Sequence, residues 1–391
     1  MITVEEAIRL TESHIKKTKA IDTVPISRSL GYVLAKNIIA PIAMPPFRQS
    51  AMDGYALGSI KDKKFKLVGE VKAGDNINPN IEEGQAIRIF TGAPVPPGTQ
   101  AVIMQEKVEA QDHYIIPQHP ITLNSNIRPI GEQIQKEDIA LTEGTIITAA
   151  TIGYIASLGV THVDIYKKPS IAIIATGNEL VSPGQTLKHG QIYESNSIML
   201  STALTKSGFT DISCYKVEDT YDVTLSLIEN TIAHHDVVLV SGGISVGDYD
   251  FVGKALRALQ VEEIFYKVKQ KPGKPLYFAK KQDTTIFALP GNPASALSCF
   301  YIYVLPVLFK LSGYHKPHLK RSMNTSASEY HKKGQRAEFL KAHVQDNKVT
   351  ILDGQASSML RSFAVANAMV FLPEEVITVN NGDLIEVIHL P

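Results

Sequence analysis

Three segments of this 391-residue chain place glycine beside acidic, hydroxyl or amide side chains directly after an apolar run. The first is Ala175–Leu180, which follows the run Ile171–Ile174. Glycine lets the backbone approach a ligand closely, and Glu179 would stand at the carboxyl end of the strand that the run predicts. An ordinary turn that carries a solvated acid explains the same segment equally well.

The second segment, Val240–Asp250, contains three glycines, two serines and two aspartates before a helical stretch. Backbone amides at the start of a helix, together with hydroxyl groups, form a cradle for a phosphate, and Gly242, Gly243 and Ser245 are the candidates. Asp250 could hold a metal ion against the same phosphate. A helix cap is the alternative for either aspartate, although residues two apart do not share one cap.

The third segment, Leu289–Ala296, holds two prolines three residues apart, Pro290 and Pro293. Their restricted φ angles would pin a loop that delivers Asn292 and Ser295 to the start of a helix. A rigid turn that serves packing alone is the alternative, since Pro-Gly-Asn turns are common. The hypothesis of a ligand site therefore depends on the three segments meeting at one edge of a sheet.

A locally basic segment, Lys267–Pro275, lies between the second and third of these segments. Lys271 and Lys274, held by a Pro-Gly turn, would suit a small oxyanion or a second phosphate. A solvated basic loop is the alternative. Asp219 follows the apolar run that ends at Val217 and is a further candidate metal ligand at the same edge.

Strand-like and helix-like runs alternate between residues 169 and 317, which predicts a doubly wound, mostly parallel α/β sheet covered on both faces. Such sheets bind ligands at the carboxyl ends of their strands, where the three segments would lie. The apolar and helical runs are Ile171–Ala175, Ile198–Ser207, Asp211–Val217, Thr224–Ala233, Val237–Val240, Phe251–Leu259, Ile286–Leu289 and Ala294–Leu311.

Short β-type runs separated by Gly, Pro and Asn turns predict one small β domain before the α/β region and another after it. Helical patterns at Val4–Lys19, which opens with a Thr3 and Glu6 capping box, and at Ile146–Leu158 indicate that the first β domain is inserted into a helical and linker region. The predicted domains are a discontinuous helical and linker domain (1–45 and 139–168, of which 1–20 can pack on the α/β domain), an inserted β-rich domain (46–138), the α/β domain (169–318) and a C-terminal β-barrel-like domain (319–391).

Composition and charge exclude several classes of protein. Lys and Arg total 39 and Asp and Glu also total 39, so no bulk positive field would attract a nucleic acid. Two cysteines are too few for a disulfide framework, and the acidic N-terminus is unlike a signal peptide. The most apolar stretch, Ala296–Phe309, contains Ser298 and Pro306 and is shorter than the roughly 20 residues that span a bilayer. We therefore expect a soluble cytoplasmic protein that binds neither nucleic acid nor a membrane.

Six segments together resemble the MoeA family, the molybdopterin molybdenumtransferases that include the gephyrin E domain. The matching segments occur in the family's order and extend over essentially the whole chain. They are Ser50–Ala56, Ile89–Pro94, Ala175–Leu180, Ser241–Asp250, Lys271–Pro275 and Leu289–Ala296. The resemblance implies a four-part, elongated homodimer in which an α/β domain like that of the molybdopterin adenylyltransferases binds molybdopterin and carries the active site.

The resemblance also implies the reaction and its partners. Adenylylated molybdopterin and molybdate are the substrates, AMP is released, and Mg²⁺ assists as the cofactor. The dithiolene of the substrate supplies sulfur ligands to the metal, which agrees with the scarcity of cysteine in this chain. A molybdopterin adenylyltransferase and cofactor-delivery proteins are the protein partners that the family implies.

Specific residues take roles only through this resemblance. Three acids would surround the Mg²⁺ and the anhydride, namely Glu179, Asp219 and Asp250. Molybdate would lie at Lys271, Lys274 and Ser295. The pocket for the pterin phosphate would be shaped by Gly242, Gly243, Ser245, Pro290, Gly291, Asn292 and Pro293. From the inserted β domain, Asp53 and Thr91 would close over the α/β site of the other subunit.

Two positions depart from the family pattern. Gln133 follows Gly131-Glu132 where relatives often have an acid, and Glu194 replaces the commoner aspartate in the segment Ile192–Asn196. Two other functions remain as alternatives, a molybdopterin adenylyltransferase and a non-catalytic pterin-binding scaffold. The two flanking β domains argue against the first, and the intact set of acids and lysines argues against the second.

Overall fold

The structure is a computed structural model that describes residues 1–244 and 251–391. They form two compact units. We call Met1–Asp22, Gly31–Val33 and Tyr166–Pro391 the large unit, and Thr23–Leu30 with Leu34–Ile165 the small unit. Two of the candidate site residues, Ser245 and Asp250, lie outside the described residues. The four-part division predicted from the sequence stays a prediction.

The first helix begins as predicted and ends earlier. The side chain of Thr3 accepts a hydrogen bond from the Glu6 amide at 3.2 Å, as the capping box predicts. The helix stops at His14 because Ile15 is extended and buried in the core, so the prediction that it continues to Lys19 is wrong. Up to Tyr166 the elements are α1 (Val4–His14), β1 (Ile21–Pro25), a 3₁₀ turn (Ile26–Arg28), β2 (Ile38–Ile39), β3 (Gln49–Ser50), β4 (Gly54–Leu57), β5 (Phe65–Val71), β6 (Gln85–Ile89), β7 (Ala101–Met104), a 3₁₀ turn (Gln105–Lys107), β8 (Val108–Gln111), β9 (Tyr114–Pro117), β10 (Ile127–Arg128), β11 (Ile139–Leu141), α2 (Ala149–Ser157) and β12 (His162–Tyr166).

A six-stranded sheet in the order β7-β4-β6-β5-β9-β8 dominates the small unit. Its pairings are antiparallel except that between β5 and β6. Consecutive residues of a strand face opposite sides of a sheet, and Ala56 and Leu57 accordingly enter two different apolar clusters. The β-rich region predicted before the α/β region is therefore present.

The α/β part of the large unit contains the predicted mostly parallel sheet. Its strand order is β16-β13-β17-β21-β20-β18; the first four strands are parallel, and β20 is antiparallel to both of its neighbours, β21 and β18. The elements are β13 (Ile171–Thr176), β14 (Leu180–Val181), β15 (Ile192–Tyr193), α3 (Asn196–Lys206), β16 (Ile212–Val217), α4 (Tyr221–His234), β17 (Val237–Ser241), α5 (Phe251–Ala258), β18 (Glu262–Tyr266), β19 (Gln270–Lys271), β20 (Tyr277–Lys281), β21 (Thr284–Leu289), α6 (Pro293–Cys299) and α7 (Leu305–Leu311).

Both faces of this sheet are covered, which is the doubly wound arrangement expected from the sequence. Ile171 and Ile173 pack into one core cluster, and their neighbours Ala172 and Ile174 pack into another. The sequence did not predict β18 and β20, because two of the five residues in each are charged, glutamates in β18 and lysines in β20, so both lack the continuous apolar run that marks a central parallel strand.

A helical run of 19 residues, Pro293–Leu311, is long and apolar enough to cross a membrane by length and composition alone. It consists of α6, one π-helical turn at Phe300–Val304 and α7. The fold buries 78% of its most apolar window. This run is therefore the core helix of the large unit, in which Phe300 and Tyr303 are fully buried.

The C-terminal strands close into a ring. The order β24-β25-β22-β28-β26 returns to its start because β26 also pairs with β24, and β19 pairs in parallel with the first two residues of β24. These elements are β22 (Arg321–Ser326), β23 (Tyr330–His331), β24 (Ala337–Gln345), β25 (Lys348–Ile351), α8 (Arg361–Val365), β26 (Ala368–Leu372), β27 (Thr378–Val379) and β28 (Leu384–His389). We call this ring the barrel.

Candidate active site

The three glycine-containing segments meet at the carboxyl ends of β13, β17 and β21, as expected for a parallel sheet. They line a cavity of about 820 Å³, which we call the carboxyl-end cavity. The candidate residues that line it are Glu179, Asp219, Gly242, Gly243, Pro290, Gly291, Asn292 and Pro293. Sequence patterning therefore located most of one wall of this cavity.

Glycine is required where the second segment passes the first. Gly242 has a φ of +93° and Gly243 a φ of +63°, both in the left-handed region. A Cβ atom at Gly242 would lie 2.8 Å from the Thr176 carbonyl oxygen, and one at Gly243 would lie 2.8 Å from Thr176 Oγ1. A side chain at either position would collide with Thr176, so the second segment can pass this close to the first only with glycine there.

Two carboxylates share the cavity. Burial raises the pKa of Asp219, an effect partly offset by its hydrogen bond with Asn178, and the negative charge of Glu179 raises that pKa further. The Asp219 amide donates to Asn178 Oδ1 at 3.0 Å, which ties this loop to the first segment. Asp219 is half-buried and Glu179 is exposed, and a cation between them would relieve the repulsion of their like charges. Among the described residues, no three or more His, Cys, Asp or Glu side chains are grouped so that they could hold a metal ion, and Asp250 lies outside these residues.

Asn196, the first residue of α3, connects the second and third segments. Its Nδ2 donates to Ser241 Oγ and to the Gly291 carbonyl, both at 2.8 Å. Its Oδ1 is buried without a hydrogen-bond partner within residues 1–244 and 251–391, and the same is true of Thr176 Oγ1. Because buried polar atoms are normally paired, both atoms indicate a polar ligand in the cavity that they line.

The residues expected at molybdate lie beside this cavity and do not line it. Lys271 Nζ forms an ion pair with Glu338 Oε1 at 3.1 Å. The Glu338 side chain is buried, and its Oε2 accepts a hydrogen bond from Tyr330 at 2.6 Å. Lys274 is exposed, whereas Pro275 lines the cavity. Ser295 is buried, and its amide donates to the Ser357 carbonyl at 3.2 Å. The basic segment, for which the sequence suggested a Pro-Gly turn at an oxyanion or a solvated loop, includes strand β19, which is paired with the barrel strand β24.

The barrel contributes a wall that the sequence did not predict. Ser358 lines the cavity, and Ser357 Oγ accepts a hydrogen bond from Asn292 Nδ2 at 2.9 Å. The buried ammonium group of Lys341 holds this loop, since it donates to the carbonyls of Gly354, Ala356 and Met359 at 2.7, 3.2 and 3.2 Å. A polar run in the C-terminal tail was the available signal, but nothing in its spacing connected it to the α/β loops.

In the small unit, Asp53 and Thr91 form a hydrogen-bonded pair. The amide and the hydroxyl of Thr91 both donate to Asp53 Oδ1 at 2.7 Å. These two hydrogen bonds lower the pKa of Asp53, and the bond from the Thr91 backbone has the larger effect. Both residues are exposed. The structure therefore brings these two candidates together, as a compact anionic turn on the surface of their unit.

Three family models match the chain. The MoeA N-terminal region (domain I and II) matches residues 2–159, a probable molybdopterin binding domain matches residues 172–310, and the MoeA C-terminal region (domain IV) matches residues 325–390. A molybdopterin molybdenumtransferase from Staphylococcus epidermidis is 32% identical, with 99% of this chain and 95% of the relative covered. One from Staphylococcus aureus is 31% identical, with 95% and 91% covered. The chain belongs to the MoeA family.

Solved structures agree with this assignment. A molybdopterin biosynthesis MoeA protein from Pyrococcus horikoshii OT3 superposes with a TM-score of 0.86 at 26% identity, over 100% of both chains. A second structure of MoeA from Pyrococcus horikoshii has a TM-score of 0.83 at 28% identity, over 100% of this chain and 99% of that one. Membership of the MoeA family makes this protein a molybdopterin molybdenumtransferase, a transferase of molybdenum cofactor biosynthesis.

The two departures from the MoeA pattern have different surroundings. Glu194 is buried, and its carboxylate accepts hydrogen bonds from the amide of Ser197, at 2.9 Å, and from the Ser197 hydroxyl. These bonds pair the Ser197 amide in the first turn of α3 and so hold the turn that presents Asn196. Gln133 is exposed in the small unit, where its backbone N–H donates to the Met44 carbonyl at 2.9 Å.

Proposed function

We propose that this MoeA-family protein inserts molybdate into adenylylated molybdopterin and releases AMP in a Mg²⁺-assisted reaction. The observation that carries the proposal is the carboxyl-end cavity, which combines a glycine-rich floor with the carboxylates of Glu179 and Asp219. A nucleotide joined through a pyrophosphate needs a close backbone approach and a divalent cation. Both requirements converge in one cavity of about 820 Å³, a volume suited to a ligand of this size.

The donor set of this cavity fits Mg²⁺, a hard cation that prefers oxygen ligands. Glu179 and Asp219 would hold it, with Asp250 as the third acid that the family resemblance implies. When bound, Mg²⁺ would neutralise charge on the phosphoanhydride as AMP departs. The raised pKa of Asp219, due to burial and reduced in part by the hydrogen bond with Asn178, shows why a cation would stabilise its charged form.

The glycines, prolines and polar groups of the same cavity would orient the substrate. Gly242 and Gly243 line the cavity without side chains and would let a phosphate approach their backbone, and Pro290 to Pro293 would shape the pterin phosphate pocket with Ser245. The unpartnered atoms Asn196 Oδ1 and Thr176 Oγ1 are available to a polar ligand. Asn196 would transmit any displacement of the second segment to the third, because it bonds to both.

Molybdate, the second substrate, is proposed to bind beside the anhydride, at Lys271, Lys274 and Ser295. Fixed positive donors suit a tetrahedral dianion. Both lysines lie in the basic segment that ends at Pro275 in the cavity wall, and Ser295 lies in the part of the third segment that begins α6. The Glu338 carboxylate fixes the Lys271 ammonium group at 3.1 Å, which restricts where the dianion can approach it.

The proposal extends to a cytoplasmic homodimer in which Asp53 and Thr91 of one subunit complete the site of the other. The exposed position of this pair and its anionic character support that role. A molybdopterin adenylyltransferase that supplies the adenylylated pterin and proteins that receive the finished cofactor would be its transient partners. These features rest on the resemblance to the MoeA family.

The test is AMP release from adenylylated molybdopterin by the purified protein, with and without Mg²⁺ and molybdate, followed by an assay for active cofactor. We expect release to depend on both ions. Tight binding without release would contradict the proposed reaction and make the protein a pterin-binding scaffold. Consumption of ATP with unadenylylated molybdopterin would instead indicate an adenylyltransferase.

A further inference from the structure

A second cavity, of about 670 Å³, lies at the opposite end of the α/β sheet. We call it the amino-end cavity, because Asp236 and Thr285, at the starts of β17 and β21, line it. Strand β13 has six residues, so the two ends of the sheet are roughly 17 Å apart at about 3.3 Å per residue. None of the residues considered for catalysis above lines this cavity.

Lysine dominates the lining of the amino-end cavity. Six lysines and two aspartates, Asp236 and Asp283, line it, so its side chains carry four more positive than negative charges in a chain of zero net charge. The lysines come from three parts of the large unit: the segment after α1, the segment before β13 and strand β20. They are Lys16, Lys17, Lys19, Lys167, Lys168 and Lys280.

The partners of several of these charges are neutral. Lys168 Nζ donates to the Gly208 carbonyl at 2.8 Å and lies 4.4 Å from the centre of the Tyr32 ring. Lys280 Nζ donates to the His14 carbonyl at 3.4 Å. The Asp236 carboxylate, in contrast, already accepts two hydrogen bonds from Ser170. Burial lowers the pKa of Lys168 to about 8, which shows that a nearby anion would stabilise its charged form.

An independent observation points to a ligand. Thr285 is fully buried and lines the cavity, and its Oγ1 has no hydrogen-bond partner among the residues that the structure describes. A hydroxyl group in such a place normally donates to a neighbour. Thr285 and six lysines line the same cavity, so it offers both a neutral hydrogen-bond donor and several cations, which is a combination that binds phosphate groups.

We propose that the amino-end cavity binds a small, multiply charged phosphate-bearing molecule, with lysine ammonium groups and the Thr285 hydroxyl as donors. The cavity has the volume of a small-molecule site, and its concave form favours a compact anion over an extended polymer. The zero net charge of the chain also argues against a general affinity for polyanions. The site is separate from the proposed molybdate and pterin site and does not depend on that function.

The test is calorimetric titration of the full chain with tripolyphosphate. The triple variant Lys16→Glu, Lys19→Glu and Lys167→Glu changes three exposed lysines of the cavity. The matched control changes Lys61, Lys63 and Lys136 to glutamate, which are exposed lysines of the small unit. We expect one binding event to weaken by at least about tenfold in the cavity variant and to persist in the control.

Thr285→Val is the second variant, since it removes the hydroxyl group and keeps the side-chain shape. We expect it to weaken the same binding event severalfold while the protein melts at the same or a higher temperature. Equal affinity of the wild type and the cavity variant, or equal loss in the control, would overturn the proposal. Binding only to anionic vesicles or RNA, without binding of tripolyphosphate, would also overturn it. Unchanged affinity in Thr285→Val would remove Thr285 from the site.

Discussion

The two ends of one parallel sheet carry cavities of similar size and opposite character. The carboxyl-end cavity, of about 820 Å³, is lined by glycines, prolines and the carboxylates of Glu179 and Asp219, whereas the amino-end cavity, of about 670 Å³, is lined by six lysines. At the carboxyl ends, the turns between strand and helix place backbone and short side chains at the ligand. At the amino ends, long side chains from distant segments supply the chemistry. Backbone geometry should therefore matter most at the first cavity, and charge at the second.

Loss of an acid should have the largest effect. Asp219→Asn should reduce AMP release by about 10²-fold to 10⁴-fold, since it removes a cation-binding charge or a proton acceptor. The raised pKa of Asp219 means that its charged form costs folding stability at neutral pH, so the variant should melt at the same or a higher temperature. Asp222→Asn, in the exposed first turn of α4, is the control and should keep its activity. Wild-type AMP release by Asp219→Asn would remove this residue from the site.

Backbone geometry at the carboxyl-end cavity is tested by Gly242→Ala. Its φ of +93° strains an L residue, and the new Cβ would lie 2.8 Å from the Thr176 carbonyl oxygen, so AMP release should fall by about 10²-fold. Gly184→Ala is a matched control, because Gly184 has a φ of +92° but no atom within 4 Å of the added Cβ. An equal loss of activity in both variants would mean that strain alone, and not the close approach, controls the reaction.

A smaller effect is expected for Asn196→Ala, which removes the hydrogen bonds to Ser241 and Gly291. Loss of about 1 to 2 kcal/mol of positioning should lower kcat/KM for AMP release by about tenfold. Asn230→Ala, at an exposed position of α4, is the control. If Asn196→Ala lowers thermal stability but leaves kcat/KM unchanged, Asn196 only supports the fold.

The smallest expected effect concerns Lys168 in the amino-end cavity, where charge should matter more than backbone geometry. Burial lowers the pKa of Lys168 from 10.5 to about 8, so between these values the unfolded chain binds a proton that the folded chain has released. The contribution of this group to folding stability therefore rises with pH in that window. Lys168→Met should show a smaller increase in urea midpoint between about pH 7.5 and about pH 9.5 than the wild type. An identical increase in both proteins would contradict the burial of this ammonium group.

The sequence predicted those parts of the site that depend on local patterns of residues. The apolar runs that precede Ala175–Leu180, Val240–Asp250 and Leu289–Ala296 predicted three parallel strands, and the carboxyl ends of such strands share one edge. The glycines and Glu179 could therefore be assigned to one site before their coordinates were known. The strands β18 and β20 were missed, because two of the five residues in each are charged and neither is a continuous apolar run.

Contacts between distant parts of the chain were decided by the tertiary structure alone. Lys271 meets Glu338 because β19 pairs with the barrel strand β24. Ser358 reaches the carboxyl-end cavity because Lys341 holds its loop by three carbonyls. The six lysines of the amino-end cavity come from segments that share no motif. Periodicity and local motifs determine which faces and turns a chain forms, whereas the order of strands determines which distant side chains meet.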